Sequence, residues 1–230
     1  MLKLEALRIE QGSFALTADM TVPAGRRVAV IGPSGAGKST LLGAVSGFVP
    51  LAAGRITLDG ADITGAAPGA RAISMLFQDN NLFPHLTLTQ NVGLGLRPAL
   101  RLTAEEHTRI ALALDRVGLA GMEARRPGAL SGGQQSRAAL ARILVQQRPL
   151  VLLDEPFAAL GPALRREMLD LVRDLATETG ATMMMVTHAP EDVARIADDV
   201  VFVEGGVAHP PEPAAALMNN PPPALRAYLG

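Results

Sequence analysis

No stretch of this chain restricts its fold more than Gly32-Pro33-Ser34-Gly35-Ala36-Gly37-Lys38-Ser39-Thr40, which fits G-x-x-x-x-G-K-[ST] between an apolar run and a helical stretch. The run before it, Val28-Ala29-Val30-Ile31, has no polar alternation, as suits a strand buried on both faces, and the helix extends from about Lys38 to Gly47. A strand feeding a glycine-rich turn and then a helix points to an α/β fold. Glycines let successive N–H groups turn inward onto phosphate oxygens, and the positive end of the following helix adds to their pull. The segment Gly32 to Thr40 is therefore a candidate phosphate site. Lys38 is suited to the β- and γ-phosphates, and the Ser39 hydroxyl to Mg²⁺, which takes few protein ligands beside phosphate oxygens and water. An ordinary glycine-rich turn would not account for the lysine: Lys3 and Lys38 are the only two lysines among 21 Lys and Arg residues. A compact ammonium is kept where a point charge serves better than a guanidinium fork.

A second apolar run, Leu150-Val151-Leu152-Leu153, ends in Asp154-Glu155-Pro156. In an open parallel sheet the carboxyl ends of the strands face the ligand crevice, which puts Asp154 within range of a metal at the phosphate loop and Glu155 in position to act as base or to orient water. The element resembles the Walker B motif. Acidic residues at the end of a strand can also merely begin a turn, and it is the preceding phosphate loop that favours chemistry.

The rest of the chain fits around these two strands. Residues 2–9 and 14–22 read as an antiparallel pair, 55–60 and 72–77 as short strands, and 103–117, 133–147 and 162–178 as helices, with 182–186 and 200–203 returning to buried-strand character. This predicts one domain over 1–230, in which 1–84 and 148–230 form a β subdomain with an α/β core and 85–147 a helical insertion. The tail, with Pro210-Pro211, Pro213 and Pro221-Pro222-Pro223, is expected to wrap the surface. The N-terminus begins in a strand pattern, so export is not expected, and no run reaches the ~20 apolar residues needed to cross a bilayer. With no cysteine, thiol chemistry is excluded. A net charge of −1 and 3% aromatic residues argue against nucleic acid as a partner.

Leu130-Ser131-Gly132-Gly133-Gln134, at the head of a helix, narrows the reading from triphosphate chemistry in general: it is similar to the signature sequence of ABC ATPases. Gln78, after a strand ending at Phe77, and His188, after Met184-Met185-Val186-Thr187, match that family's Q-loop glutamine and switch histidine. The resemblance runs through to Ala227-Tyr228-Leu229-Gly230. It implies a P-loop NTPase fold whose α/β core is RecA-like, with ATP and Mg²⁺ as cofactors, and Glu155, His188 and Gln78 as catalytic residues. It also implies Ser39, Gln78 and Asp154 around the metal, and Ser131, Gly132, Gly133 and Gln134 on the nucleotide of the opposite subunit. The implied partners are a second copy in the ATP-bound homodimer, integral-membrane permease subunits and, indirectly, a periplasmic solute-binding protein. The implied place is peripheral, on the cytoplasmic side of the inner membrane.

Met75-Leu76-Phe77-Gln78-Asp79-Asn80-Asn81-Leu82-Phe83-Pro84-His85-Leu86-Thr87 resembles importer ATPases, those of thiamine importers above all, which implies thiamine or its phosphate esters as cargo. Importers of another small solute, a low-turnover nucleotide-responsive subunit, and repair or translation ATPases sharing the signature are the competing readings. The chain departs from the family pattern at Gly161 and Ala189, where aspartate is usual, at Ser136, and at Ile9-Glu10-Gln11, which lacks the aromatic that stacks on adenine. Phe14 is the nearest aromatic, and weaker selection between ATP and GTP is expected. Gly161 is expected to loosen its turn and to remove a polar contact across the dimer.

Overall fold

The computed structural model describes residues 1–79 and 81–229, without the side chains of 227–229; Asn80 of the importer-like stretch and Gly230 of the terminal match lie outside the described residues. The chain opens with β1 (Leu2–Gln11) and β2 (Phe14–Val22), paired antiparallel from Leu2 opposite Val22 to Gln11 opposite Phe14. β3 (Arg27–Ile31) leads through the glycine-rich loop into α1 (Lys38–Ser46), and β4 (Ala53–Leu58) and β5 (Ala61–Asp62) extend the antiparallel region. After β6 (Ile73–Leu76) come three helices, α2 (Leu88–Gly93), α3 (Ala104–Arg116) and α4 (Gly132–Gln146). β7 (Leu150–Asp154), α5 (Pro162–Thr179), β8 (Thr182–Val186), α6 (Pro190–Ile196) and β9 (Asp199–Glu204) complete the α/β part.

Spatial order differs from chain order. The parallel strands lie as β6-β7-β8-β3-β9, and the short β10 (Val207–Ala208) joins β9 to β2, so the two parts form one continuous sheet. The sequence gives the reason for the apolar runs. Side chains alternate across a strand, and here both faces are covered. Val28 and Val30 face the core that contains Leu41, Leu42 and Val45 of α1, whereas Ala29 and Ile31 face Val193 of α6. Likewise Met184 and Val186 of β8 face the α1 side, and Met183 and Met185 the core shared with Leu140 of α4 and Met168 of α5. Each fully buried side chain of this size contributes about 1.5–3 kcal/mol.

The helical insertion has no core of its own. Leu88, Ile110, Leu114 and Leu140 pack in one cluster with Leu76 of β6, Leu153 of β7 and Leu169 of α5. Its three helices each begin with a capping box: Thr87 with Gln90, Thr103 with Glu106, and Ser131 with Gln134. The proline-rich tail lies outside, as expected, but it is more regular than proline content suggests. Proline fits a first helical turn, and after β11 (Glu212–Pro213) the tail forms α7 (Ala214–Asn219) and α8 (Pro223–Leu229). Ala214, Leu217 and Leu225 are buried against the outer face of β3 and β9.

Candidate active site

Apart from Ser131 to Gln134, the predicted site residues sit at the carboxyl ends of four neighbouring parallel strands. The phosphate loop follows β3, Asp154 ends β7, His188 follows β8, and Gln78 follows β6. Within the loop Gly32, Gly35 and Gly37 have φ of 147°, 76° and 105°. Only glycine takes these values at little cost. Space also demands glycine at two of them. A Cβ on Gly32 would overlap the carbonyl oxygen of Val203, and one on Gly37 would stand 2.6 Å from the Phe14 ring. The first N–H groups of α1 have no partners within the helix and open onto the loop.

Ser34, Gly35, Gly37, Lys38, Ser39 and Thr40 line a cleft of about 310 Å³, together with Glu155 and His188. Pro33 and Ala36 complete the turn through the bond from the Ala36 amide to the Pro33 carbonyl, 3.2 Å. Lys38 is buried, and its ammonium donates to the carbonyls of Gly32 (2.8 Å) and Pro33 (2.9 Å). Burial holds its pKa below the usual lysine value, against the pull of Glu155 and Asp154. The Ser39 hydroxyl donates to Asp154 Oδ1 at 2.9 Å, which joins the two motifs across 115 residues of sequence. Burial pushes the Asp154 carboxyl up, the Ser39 hydrogen bond opposes this, and the Glu155 charge adds to it.

Glu155 Oε1 and His188 Nε2 are 2.7 Å apart. With Glu155 ionised its oxygens only accept, so Nε2 is the donor. Glu155 holds this place with φ at 46°, an arrangement costing on the order of 1–3 kcal/mol for a residue with a side chain, and its amide is fixed by the Val186 carbonyl at 3.2 Å.

Asp154 meets the cleft through Ser39, and two further predicted groups stand outside it. Gln78 is exposed in the turn after β6, one strand from Asp154, and is not among the lining residues. Ser131 and Gly132 are exposed at the head of α4, where Ser131 Oγ accepts from the Gln134 amide (3.3 Å) and Gln134 Oε1 from the Ser131 amide (3.0 Å). Gly133 is buried against α5, for a Cβ there would lie 2.5 Å from Leu164. The same cap opens α2 and α3, and the start of α3 is exposed as well, so it is the glycine pair that distinguishes this helix start. Ser136 is buried in α4.

Sequence reasoning left one feature unplaced and missed another. Gln11 and Phe14, paired at the tip of the β1–β2 hairpin, wall the cleft, with Phe14 against Gly37 and the core at once. Strand alternation places Phe14 on the same side as Leu16, but nothing in the sequence marks that side as the phosphate loop's. The second is a network behind His188 in which the partly exposed Arg165 bonds the buried Thr187 and Asp192. A larger apolar cleft of about 450 Å³ between α4 and α5 includes one charged residue, Arg148, and lacks the groups for hydrolysis.

Residues 16–158 match the ABC transporter family. Over all 230 residues, and the whole of each relative, the chain is 62% identical to the thiamine import ATP-binding protein ThiQ of Cereibacter sphaeroides and 58% identical to that of Ruegeria sp. strain TM1040. Among solved structures it is similar to the dimeric post-hydrolysis ATP-binding cassette MJ0796 bound to ADP and Pi, with 29% identity, a TM-score of 0.80, and coverage of 93% of this chain and 99% of that one. Together with the phosphate loop, the acidic strand end and the histidine beside it, these matches place the chain in the ABC transporter ATPase family.

Proposed function

We propose that this chain hydrolyses ATP as the motor of an importer for thiamine or thiamine phosphates, bound peripherally to permease subunits on the cytoplasmic side of the inner membrane. The observation that supports the cargo most strongly is the end-to-end match to relatives named for thiamine import. The permease supplies the membrane anchor, since no helix among the described residues is long and apolar enough to cross a membrane. A periplasmic binding protein delivers the solute, which this subunit never touches.

At the cleft, Lys38 and the amides of residues 32–40 bind the triphosphate, so phosphate contacts outweigh base contacts in affinity. The chain's donors fit Mg²⁺: Ser39 Oγ and Asp154 Oδ1 are already adjacent, Gln78 stands one strand away, and no cluster of three acidic or histidine residues among the described residues competes for a metal. When bound, the ion neutralises charge on the β- and γ-phosphate oxygens. Glu155 accepts the proton of the attacking water as the bond between the γ-phosphorus and the β-bridging oxygen breaks, giving ADP and phosphate. His188 holds the Glu155 carboxylate in place through Nε2 and stands beside the γ-phosphate. The exposed Ser131-Gly132 helix start of a second copy closes over the nucleotide, and Gln134 fixes that start through its cap.

The reading is tested in the transporter reconstituted with its permease and binding protein. Thiamine is expected to stimulate phosphate release several-fold, and Ser131→Arg to abolish stimulation. Equal stimulation by unrelated solutes would remove the cargo assignment, and absence of hydrolysis under all conditions would remove the motor.

A further inference from the structure

The loop that carries His188 is anchored by a group the reaction does not touch. Thr187 is buried beside the exposed His188, and its hydroxyl donates to Asp192 Oδ2 at 2.5 Å while accepting from the Ala189 amide at 3.2 Å. These bonds bracket His188 from both sides. Arg165 reaches the same cluster from α5, with Nη2 2.5 Å from Asp192 Oδ2 and 3.3 Å from Thr187 Oγ1. The amide of Arg165 in turn bonds the carbonyl of Gly161 at 2.9 Å, in the turn that starts α5. A continuous set of hydrogen bonds thus runs from Gly161 through Arg165 and Asp192 to the residue before His188.

This cluster is poorly arranged for stability alone. Arg165 Nε is the one buried side-chain nitrogen or oxygen among the described residues that lacks a hydrogen-bond partner. A buried donor left unsatisfied carries a desolvation cost that an apolar side chain would not, even though the Arg165 side chain as a whole is partly exposed. A cleft of about 200 Å³ lies beside it, walled by Glu155, Phe157, Arg165, Thr187 and His188, so the loop is not wedged in place by packing. Ala189 opens α6 with no side-chain cap of its own. The polar cluster fixes the loop together with the bond from the Thr187 amide to the Val30 carbonyl, 3.3 Å.

We propose that Arg165 is a positioning residue for hydrolysis: acting through Asp192 and the Thr187 hydroxyl, it sets where His188 stands against Glu155 and makes the start of α5 felt at the reacting end of the site. This rests on the roles of Glu155 and His188 given above. The arginine acts at one remove: it holds the turn that holds the histidine.

The test uses the full chain and four variants, Arg165→Met, Arg165→Lys, Thr187→Val and Thr187→Ser. The readouts are melting temperature, nucleotide affinity, kcat, and the ¹⁵N resonances of the His188 ring, assigned by their loss in His188→Gln. Arg165→Met and Thr187→Val are expected to lower kcat about 20-fold or more, with ATP affinity held within about 2-fold, while the His188 ring signals shift and broaden. Thr187→Ser, which keeps the hydroxyl, is expected to restore kcat to within about 3-fold of the parent, and Arg165→Lys to fall between. Unmoved His188 signals, or equal losses in Thr187→Ser and Thr187→Val, would overturn the proposal. The ring signals do not depend on turnover, so a parent chain without hydrolysis sinks the functional reading while leaving the positioning claim to be judged by the ring signals alone.

Discussion

Glu155 and His188 meet across the ends of two paired strands, β7 and β8, with Oε1 and Nε2 2.7 Å apart although 33 residues separate them in sequence. The left-handed backbone at Glu155, φ 46°, turns the chain at the site rather than in a remote loop.

This geometry separates binding from turnover. Glu155→Gln keeps size and a hydrogen bond but not basicity, so kcat should fall by about 10²–10⁴ with ATP binding retained and a nucleotide-bound dimer accumulating on size exclusion. Lys38→Ala should instead weaken ATP affinity about 10- to 100-fold through loss of charged hydrogen bonds. Fluorescent-nucleotide titration and phosphate release distinguish them; normal hydrolysis by both variants would show the roles misassigned.

Gly32→Ala should damage the fold itself. The added methyl meets the backbone carbonyl of Val203 in the neighbouring strand, which cannot rotate away, and φ of 147° is foreign to alanine. A cost of roughly 3 kcal/mol or more is expected, lowering Tm by about 6–12 °C or preventing soluble expression. A variant melting with the parent would contradict the packing described.

Gly161 does not need to be glycine. It is the N-cap of α5 with φ −63°, it makes no side-chain cap, and a Cβ there meets nothing within 4 Å; the first turn of α5 has no acidic residue. The looseness expected of this turn therefore does not follow from its backbone, which any residue adopts. Gly161→Asp should cap the helix and place a negative charge at its positive end, raising Tm by about 1–3 °C. A lower Tm would refute this.

Arg27 and Asp198 give a pH-dependent contribution. Nη2 to Oδ1 is 2.6 Å, and Asp198 Oδ2 also accepts the Arg27 amide at 2.9 Å. The side-chain hydrogen bond from Arg27 holds the Asp198 carboxyl below its ordinary value. A depressed carboxylate stabilises the fold fully above its unfolded pKa, about 3.9, and the stabilisation is lost as pH falls through the lower folded value. Asp198→Asn should thus lower Tm by about 2–4 °C at pH 7, the response to roughly 1 kcal/mol from a partly exposed pair. The difference should persist to about pH 5 and close below about pH 4; a deficit that stays constant down to pH 3 would rule out this linkage.

The sequence by itself determined whatever is encoded within a few neighbouring residues. The loop from Gly32 to Thr40, the acidic end at Asp154 and Glu155, the cap from Ser131 to Gln134 and the main strands and helices all follow from local spacing, because backbone conformation, capping and strand alternation are set over short spans of chain. Tertiary structure alone decided which of these pieces meet. An apolar strand buried on both faces carries no record of its neighbours, and the order β6-β7-β8-β3-β9 is not chain order. That order places Ser39 on Asp154, Glu155 on His188, and Arg165 on Asp192. The tail shows the same division: its prolines pointed to a surface wrap, but only the face of β3 and β9 gave Leu217 and Leu225 a surface on which to pack as helices.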